Sequence, residues 1–272
     1  MPSLSNLARR ALTGVVGIPL LVALVLWAPP LAFGAFTVLV SVIGMRELVH
    51  MLLPDARLAL RLWLVVLAGA FTVGLSAFPA LGLPLAMAGL ILTAIGVLLD
   101  PGDLPRAAGR LGVAVFGVFY VGGLTALLGL LHRQSPDGPR WFLVVLTTTF
   151  ANDTGAYFAG RSFGRHKLYP TVSPGKTVEG AVGGLLAALG ALFVVRATFF
   201  PRLTAADCLL VAGPASVLGP LGDLVESLLK RSAGVKDSGR LLPGHGGLLD
   251  RMDALLFVGA WVYVYARYLA AP

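Results

Sequence analysis

The sequence predicts an all-α polytopic membrane protein of about nine transmembrane helices with a cytoplasmic N-terminus. Of its 272 residues, 57% are hydrophobic and only 12% are charged, whereas soluble domains contain roughly 25% charged residues. Apolar stretches of bilayer-spanning length, about 20 residues each, recur along the whole chain. These observations exclude a soluble enzyme, a disordered chain and a secreted disulfide scaffold. The single Cys208 lies in an apolar stretch and is expected to be a buried core residue.

The apolar stretches define the elements in chain order. The first is expected to be a retained span rather than a signal peptide, and a corner at Pro29-Pro30 separates it from the second because proline ends a helix. The spans are predicted near residues 12–30, 31–49, 59–79, 81–99, 109–131, 141–160, 178–199, 207–229 and 251–270. Residues 1–140 form an N-terminal set of about five spans. Residues 141–272 form a C-terminal catalytic set with polar loops at 161–177 and 230–251.

The distribution of basic residues predicts the orientation. In this arrangement 16 of the 21 lysines and arginines lie on the side of the N-terminus and 5 on the opposite side. Positive charge accumulates on the cytoplasmic side of membrane proteins. The net charge of +8 is therefore explained largely by topology, and no nucleic-acid partner is predicted. The loops 161–177 and 230–251 hold nine of the 16, so they contain more positive charge than the other loops.

A first group of polar residues surrounds the loop 161–177. A P-loop is excluded because Pro170 stands where that motif requires glycine. The segment Ser173–Thr177 is predicted to be a turn that opens a helix and offers N–H groups, hydroxyls and an ammonium to an anion. The alternative is a helix cap at Thr177 beside an interfacial lysine. The candidate residues of this group are Asn152, Asp153, Ser173, Lys176 and Thr177.

A second group of polar residues flanks the loop 230–251. Asp223, Ser227 and Lys230 are spaced to share one helix face, and so are Asp250 and Asp253 on the next helix. Carboxylates beside a basic, glycine-rich loop suit Mg²⁺ together with substrate phosphates. The alternative is that Asp250 and Asp253 complement a helix dipole and that Lys230 and Arg231 obey the positive-inside rule. The loop itself contributes Arg231, Lys236, Asp237, His245, Gly246, Gly247 and Arg251.

Glu47 is a further carboxylate, at the end of the second predicted span and adjacent to Arg46. An interfacial ion pair with that arginine and a role in the functional site are both open at this point.

The residues of the second group resemble the signature of the phosphatidate cytidylyltransferase (CDP-diacylglycerol synthase) family. The matching pattern is Ser227-x2-Lys230-Arg231-x4-Lys236-Asp237-x5-Pro243-x-His245-Gly246-Gly247-x2-Asp250-Arg251-x-Asp253. Upstream, Asn152-Asp153 and Ser173-Pro174-x-Lys176-Thr177-x-Glu179-Gly180 are similar to another motif of that family. The resemblance in specific residues covers about the C-terminal half of the chain.

The resemblance implies transfer of a cytidylyl group from CTP to phosphatidic acid, which gives CDP-diacylglycerol and pyrophosphate. It implies that Asp223 and Asp250 hold Mg²⁺, with Asp253 and Asp153 as second candidates and with a monovalent cation such as K⁺ beside it. The hypothesis is that Lys176, Lys230, Arg231 and Lys236 neutralise phosphates, while hydroxyls, the Gly246-Gly247 backbone and His245 orient them. The active-site loops are expected on the cytoplasmic side of the inner membrane, where a lateral opening between helices would admit lipid from the bilayer.

Two other classes of function remain open. A membrane nucleotidyl- or phosphotransferase acting on an isoprenoid or another lipid phosphate would need most of the same residues. A transporter would place charges near the bilayer midplane within inverted repeats, whereas the charges here cluster at one face. The GxxxG pair Gly180 and Gly184 permits a homodimer without requiring one.

Overall fold

The computed structural model describes residues 17–134, 136–241 and 246–270, most of which are helical. The helices are α1 (Gly17–Trp27), α2 (Pro30–Leu52), α3 (Leu58–Ala77), α4 (Gly82–Leu99), α5 (Ala107–Gly117), α6 (Leu124–Arg133), α7 (Gly138–Phe163), α8 (Val178–Thr198), α9 (Ala205–Ser232) and α10 (Leu249–Val264). A π-helical segment at Val118–Gly123 joins α5 to α6, and another at Tyr265–Leu269 extends α10. The predicted corner is confirmed, because α1 ends at Trp27 and α2 begins at Pro30.

Six helical stretches within the described residues are long and apolar enough to cross a membrane. They are Pro30–Leu52, Leu58–Ala77, Pro79–Leu99, Leu104–Arg133, Val178–Thr198 and Ala205–Ser232. The protein is therefore an all-α multi-pass membrane protein, as its composition predicts. The larger count of about nine spans and the orientation stay predictions.

The segment Ser173–Thr177 is a β-strand, so the predicted turn at this place is wrong. This strand, β2, pairs antiparallel with β1 (Lys167–Tyr169), and Lys167 lies opposite Thr177. Pairing with β1 satisfies main-chain groups that a turn would leave to solvent. The helix that follows does begin directly after the segment, as predicted, because α8 starts at Val178 with Thr177 as its N-cap.

The chain forms two compact units. The first unit comprises Met1–Leu130 and Ser232–Arg251, and the second comprises Leu131–Arg231 and Met252–Pro272. The predicted division of function at residue 140 stays a prediction. In the first unit, α3 packs closely on the π-helical segment Val118–Gly123, since a Cβ at Gly122 would lie 2.9 Å from the Ala68 carbonyl oxygen.

In the second unit, α7 and α8 are in close contact through small residues. A Cβ at Gly183 would lie 2.2 Å from the Cβ of Ala159, and one at Gly184 would lie 2.6 Å from Asn152 Oδ1. The GxxxG pair Gly180 and Gly184 therefore packs against α7 of the same chain. Small residues allow helix backbones to approach in a membrane, where close packing supports association.

Replacing Gly183 with alanine is expected to destabilise the protein by about 1–3 kcal/mol, because the added methyl group overpacks the contact between α7 and α8. Gly190→Ala is the matched control on the same helix, since a Cβ at Gly190 meets nothing within 4 Å. This control is expected to be neutral or slightly stabilising because alanine favours helix by up to about 1 kcal/mol. Thermal unfolding in one detergent compares the two variants. Equal unfolding midpoints for Gly183→Ala and Gly190→Ala would contradict the close contact between α7 and α8.

Helix α9 contains two internal prolines, Pro214 and Pro220. Pro214 has no N–H to donate to the Leu210 carbonyl one turn earlier. The Trp261 indole N–H donates to that carbonyl oxygen instead, at 3.2 Å. In the same helix Cys208 is fully buried, which confirms the prediction of a core cysteine.

Candidate active site

The second unit contains a cavity of about 480 Å³, lined by α7, the β-hairpin, α8 and α9. This volume is in the range of small-molecule sites in proteins. Six of the predicted site residues line it, namely Asn152, Asp153, Ser173, Lys176, Thr177 and Asp223. The fold thus brings the first polar group together with Asp223 from the second. Tyr157 and Arg161 also line it, and sequence reasoning assigned no role to either.

An ion pair between the hairpin and α9 lies at this cavity. Lys176 Nζ lies 2.7 Å from Asp223 Oδ2 and donates a hydrogen bond to the Pro220 carbonyl oxygen at 3.1 Å. Ser227 Oγ donates to Asp223 Oδ1 at 3.2 Å, in agreement with the predicted shared helix face. The Asp223 side chain is 41% exposed, so the pair contributes little to stability. A cation and a carboxylate at the edge of one cavity are suited to binding charged phosphates and a metal ion.

Further carboxylates of the second unit lie around Asp223. Asp153 is close enough to both Asp223 and Asp253 for their charges to act on it. Asp253 lies near Glu226, which is fully buried, and Lys230 Nζ lies 3.4 Å from Glu226 Oε1. The predicted role of Lys230 towards phosphate stays a prediction. Sequence reasoning gave Glu226 no role.

The donor chemistry of these residues fits Mg²⁺. The three aspartates Asp153, Asp223 and Asp253 come from three helices and offer only hard oxygen ligands. In the described part of the chain no three His, Cys, Asp or Glu side chains are close enough to hold an ion by themselves. Protein-bound Mg²⁺ commonly takes only one or two carboxylates and completes its shell with water and substrate phosphates. The arrangement is therefore compatible with a metal ion that binds together with a phosphate-bearing ligand.

Thr177 has the structural role that the sequence left open. Its Oγ1 accepts a hydrogen bond from the Gly180 N–H at 3.0 Å and caps α8. A hydroxyl that accepts one hydrogen bond can still donate another, so the cap does not exclude contact with a ligand in the cavity. Nearby, the Glu179 carboxylate accepts a hydrogen bond from the Arg165 N–H at 3.0 Å and lies 2.6 Å from His166 Nδ1. These contacts connect the residues before β1 to the first turn of α8.

In the first unit, Asp250 holds the segment before α10 in place. Its Oδ2 accepts hydrogen bonds from the Ser238 N–H at 2.8 Å, from Ser238 Oγ at 2.9 Å and from the Gly247 N–H at 2.8 Å. In this structure the Gly247 N–H therefore donates its hydrogen bond to a side chain of the protein itself. Its predicted role towards a phosphate, and the predicted role of Asp250 as a metal ligand, stay predictions.

Glu47 contacts the same segment of the first unit from α2. Its carboxylate accepts from the Leu248 N–H at 3.0 Å, from the Leu249 N–H at 2.9 Å and from Ser238 Oγ at 3.2 Å. The residue is 9% exposed. Gly247 is required beside it, since a Cβ there would lie 2.5 Å from Glu47 Oε2. Sequence reasoning left open an ion pair with Arg46, and the observed partners lie instead in a segment distant along the chain.

Most of the other predicted residues of the loop 230–251 are exposed. Lys236 and Asp237 line a second cavity, of about 460 Å³, within the first unit, together with His50 and Arg240. Arg231 and Arg251 are exposed, and Gly246 has a φ of 81°, which favours glycine. His245 lies outside the described residues.

The comparisons with known proteins identify the family. The sequence profile of the cytidylyltransferase family matches residues 8–269. The chain belongs to the cytidylyltransferase family. The chain is 34% identical to the phosphatidate cytidylyltransferase of Bacillus subtilis over 275 residues, which cover 95% of this chain and 97% of that relative.

Other relatives match over a shorter length. The phosphatidate cytidylyltransferase of Staphylococcus haemolyticus is 44% identical over 146 residues, which cover 53% of this chain and 54% of that relative. The enzyme of the same name from Brucella suis is 41% identical over 157 residues, which cover 57% of each chain. In these two comparisons the chain spans little more than half of the length of the relative.

Proposed function

We propose that this cytidylyltransferase transfers a cytidylyl group from CTP to phosphatidate, giving CDP-diacylglycerol and pyrophosphate. The observation that carries the proposal is the cavity where Lys176 of the hairpin meets Asp223 of α9. Membership of the cytidylyltransferase family and relatives named phosphatidate cytidylyltransferase support it. A multi-pass membrane protein is also a suitable place for a reaction with a lipid substrate.

In the proposed reaction a phosphate oxygen of phosphatidate forms a bond to the α-phosphorus of CTP. The bond from that phosphorus to the bridging oxygen breaks, and pyrophosphate leaves with the electron pair. Phosphate monoesters have a second pKa near 6, so the nucleophile is largely ionised at neutral pH and little general-base help is required. The difficulty is to bring two polyanions together, and positioning and electrostatics carry such transfers.

The residues of the cavity suit this task. In the proposal the Lys176 ammonium exchanges part of its contact with Asp223 for a phosphate oxygen of CTP. In the proposal the hydroxyls of Ser173 and Thr177, two residues that line the cavity, donate hydrogen bonds to the same phosphates. Because the lysine also donates to the Pro220 carbonyl oxygen, its ammonium is oriented before substrate binds.

Mg²⁺ is the proposed cofactor, held by Asp223 with Asp153 or Asp253 as its neighbour. Bound there it would neutralise charge on the triphosphate and the leaving pyrophosphate. The aspartates would hold the ion, and the Lys176 ammonium would neutralise the negative charge that remains on the phosphates. A monovalent cation such as K⁺ is a further part of the proposal.

The proposed location is the inner membrane with the active-site loops on the cytoplasmic side, where CTP is available. The excess of basic residues on that side supports this orientation. A homodimer is also proposed. It would use a surface other than Gly180 and Gly184, because these pack against α7 within the chain.

The experiment is pyrophosphate release by the full chain purified in detergent, with CTP, Mg²⁺ and phosphatidate. Release is expected to require all three and to yield CDP-diacylglycerol in equal amount. UTP, GTP and ATP in place of CTP test the nucleotide, and an isoprenoid phosphate in place of phosphatidate tests the lipid. Faster reaction with one of these substitutes would favour the alternative transferase, and no release from folded protein would contradict both.

A further inference from the structure

Glu47 lies at the centre of a buried hydrogen-bond network in the first unit. Its two carboxylate oxygens accept from the main-chain N–H groups of Leu248 and Leu249, where α10 begins. The first N–H groups of a helix have no partners within the helix, and a negative charge is favourable there. Glu47 therefore caps α10 from α2, which is about 200 residues away along the chain.

The network also connects two points of the chain before α10, Ser238 and Gly247. Ser238 Oγ lies 3.2 Å from Glu47 Oε2 and 2.9 Å from Asp250 Oδ2. Its one hydroxyl proton is therefore shared between two carboxylates. Asp250 in turn accepts from the N–H groups of Ser238 and Gly247. Asp250 therefore holds Ser238 and Gly247 together, and the Ser238 hydroxyl links Asp250 to Glu47.

We propose that Glu47 is a positioning residue, which fixes Asp250 and Gly247 through Ser238 and the start of α10. This inference rests on the proposed function and on the predicted role of Asp250 as a ligand of the metal ion in that reaction. A carboxylate is required because glutamine would present an N–H₂ group to one of the main-chain N–H donors. A buried network that is only partly satisfied is costly and loses its defined geometry.

The experiment compares Glu47→Gln and Ser238→Ala with wild type by two measurements on the full chain in detergent. Amide hydrogen exchange reports the Leu248 and Leu249 N–H groups directly. In Glu47→Gln their exchange is expected to accelerate on the order of tenfold or more, since hydrogen bonds to a charged acceptor are lost. In Ser238→Ala the same amides are expected to keep their protection, because Glu47 still accepts from them.

The kinetic measurement separates positioning from simple support of the fold. In Glu47→Gln, kcat for pyrophosphate release is expected to fall by roughly tenfold to a hundredfold, with the KM for CTP within about threefold of wild type. Ser238→Ala is expected to show a smaller fall in kcat. Asp103→Asn, an exposed carboxylate in the same unit, is the matched control and should behave as wild type in both measurements.

Two results would overturn the inference. Wild-type exchange at Leu248 and Leu249 in Glu47→Gln would mean that the cap is not formed in solution. Accelerated exchange with unchanged kcat would mean that Glu47 supports the fold without positioning anything for the reaction. If wild type itself fails to release pyrophosphate, the proposed function fails, whereas the exchange data still decide whether Glu47 anchors the loop. If Glu47→Gln does not fold, Glu47→Asp, whose side chain is one methylene shorter, takes its place and is expected to change in the same direction in both measurements.

Discussion

Asp223→Asn is expected to lower kcat for CTP-dependent pyrophosphate release by about 10²–10³-fold, the magnitude typical of removing one electrostatic contact at a reacting centre. Asparagine keeps the shape of the side chain and can still accept the hydrogen bond from Ser227. It loses the charge that pairs with Lys176 and that would hold Mg²⁺. A Mg²⁺ titration of the variant is expected to show half-maximal rate at a higher metal concentration.

The control for this variant is Asp103→Asn, which also removes one carboxylate. Asp103 pairs with Arg106 on the surface, and 60% of its side chain is exposed. Its replacement is therefore expected to leave the rate unchanged. The pair of Asp223 with Lys176 is partly exposed, so its loss should alter unfolding by only about 0–1 kcal/mol. A folded Asp223→Asn variant with a rate close to wild type would contradict the assigned site.

Lys176→Met is expected to lower kcat/KM for CTP by about 10²–10³-fold, because the cavity loses the ammonium that would neutralise the triphosphate. Methionine keeps much of the apolar length of the side chain, so the packing of the hairpin should persist. Lys176→Arg is expected to recover the rate only in part. The guanidinium retains the charge but is larger and planar, whereas the ammonium binds the Pro220 carbonyl oxygen and Asp223 as a compact donor.

Lys167→Met is the matched control for this variant, since Lys167 lies on the other strand of the same hairpin and is exposed. Both variants change the net charge equally, so a general effect of charge on the binding of CTP or of an anionic lipid would appear in both. A rate loss confined to Lys176→Met would support its place at the phosphates. Equal losses in the two variants would contradict a specific role.

The sequence by itself determined the class of fold and the types of residue in the site. Apolar stretches of spanning length require helices in a bilayer, because every main-chain group must find a partner within its own segment. The corner at Pro29-Pro30 followed from a local property of proline, and the shared face of Asp223 and Ser227 followed from helical periodicity. Such features depend on neighbours within a few residues and can be predicted from them.

The tertiary structure decided which distant residues meet. The strand Ser173–Thr177 depends on pairing with Lys167–Tyr169, so the local expectation of a turn was wrong. The contact of Lys176 with Asp223 joins a hairpin to a helix, and no periodicity relates the two. For Glu47 the sequence left open a local pair with Arg46 and a role in the site, and the structure places its partners at the start of α10. Long-range pairing depends on the packing of whole helices, which residue spacing does not encode.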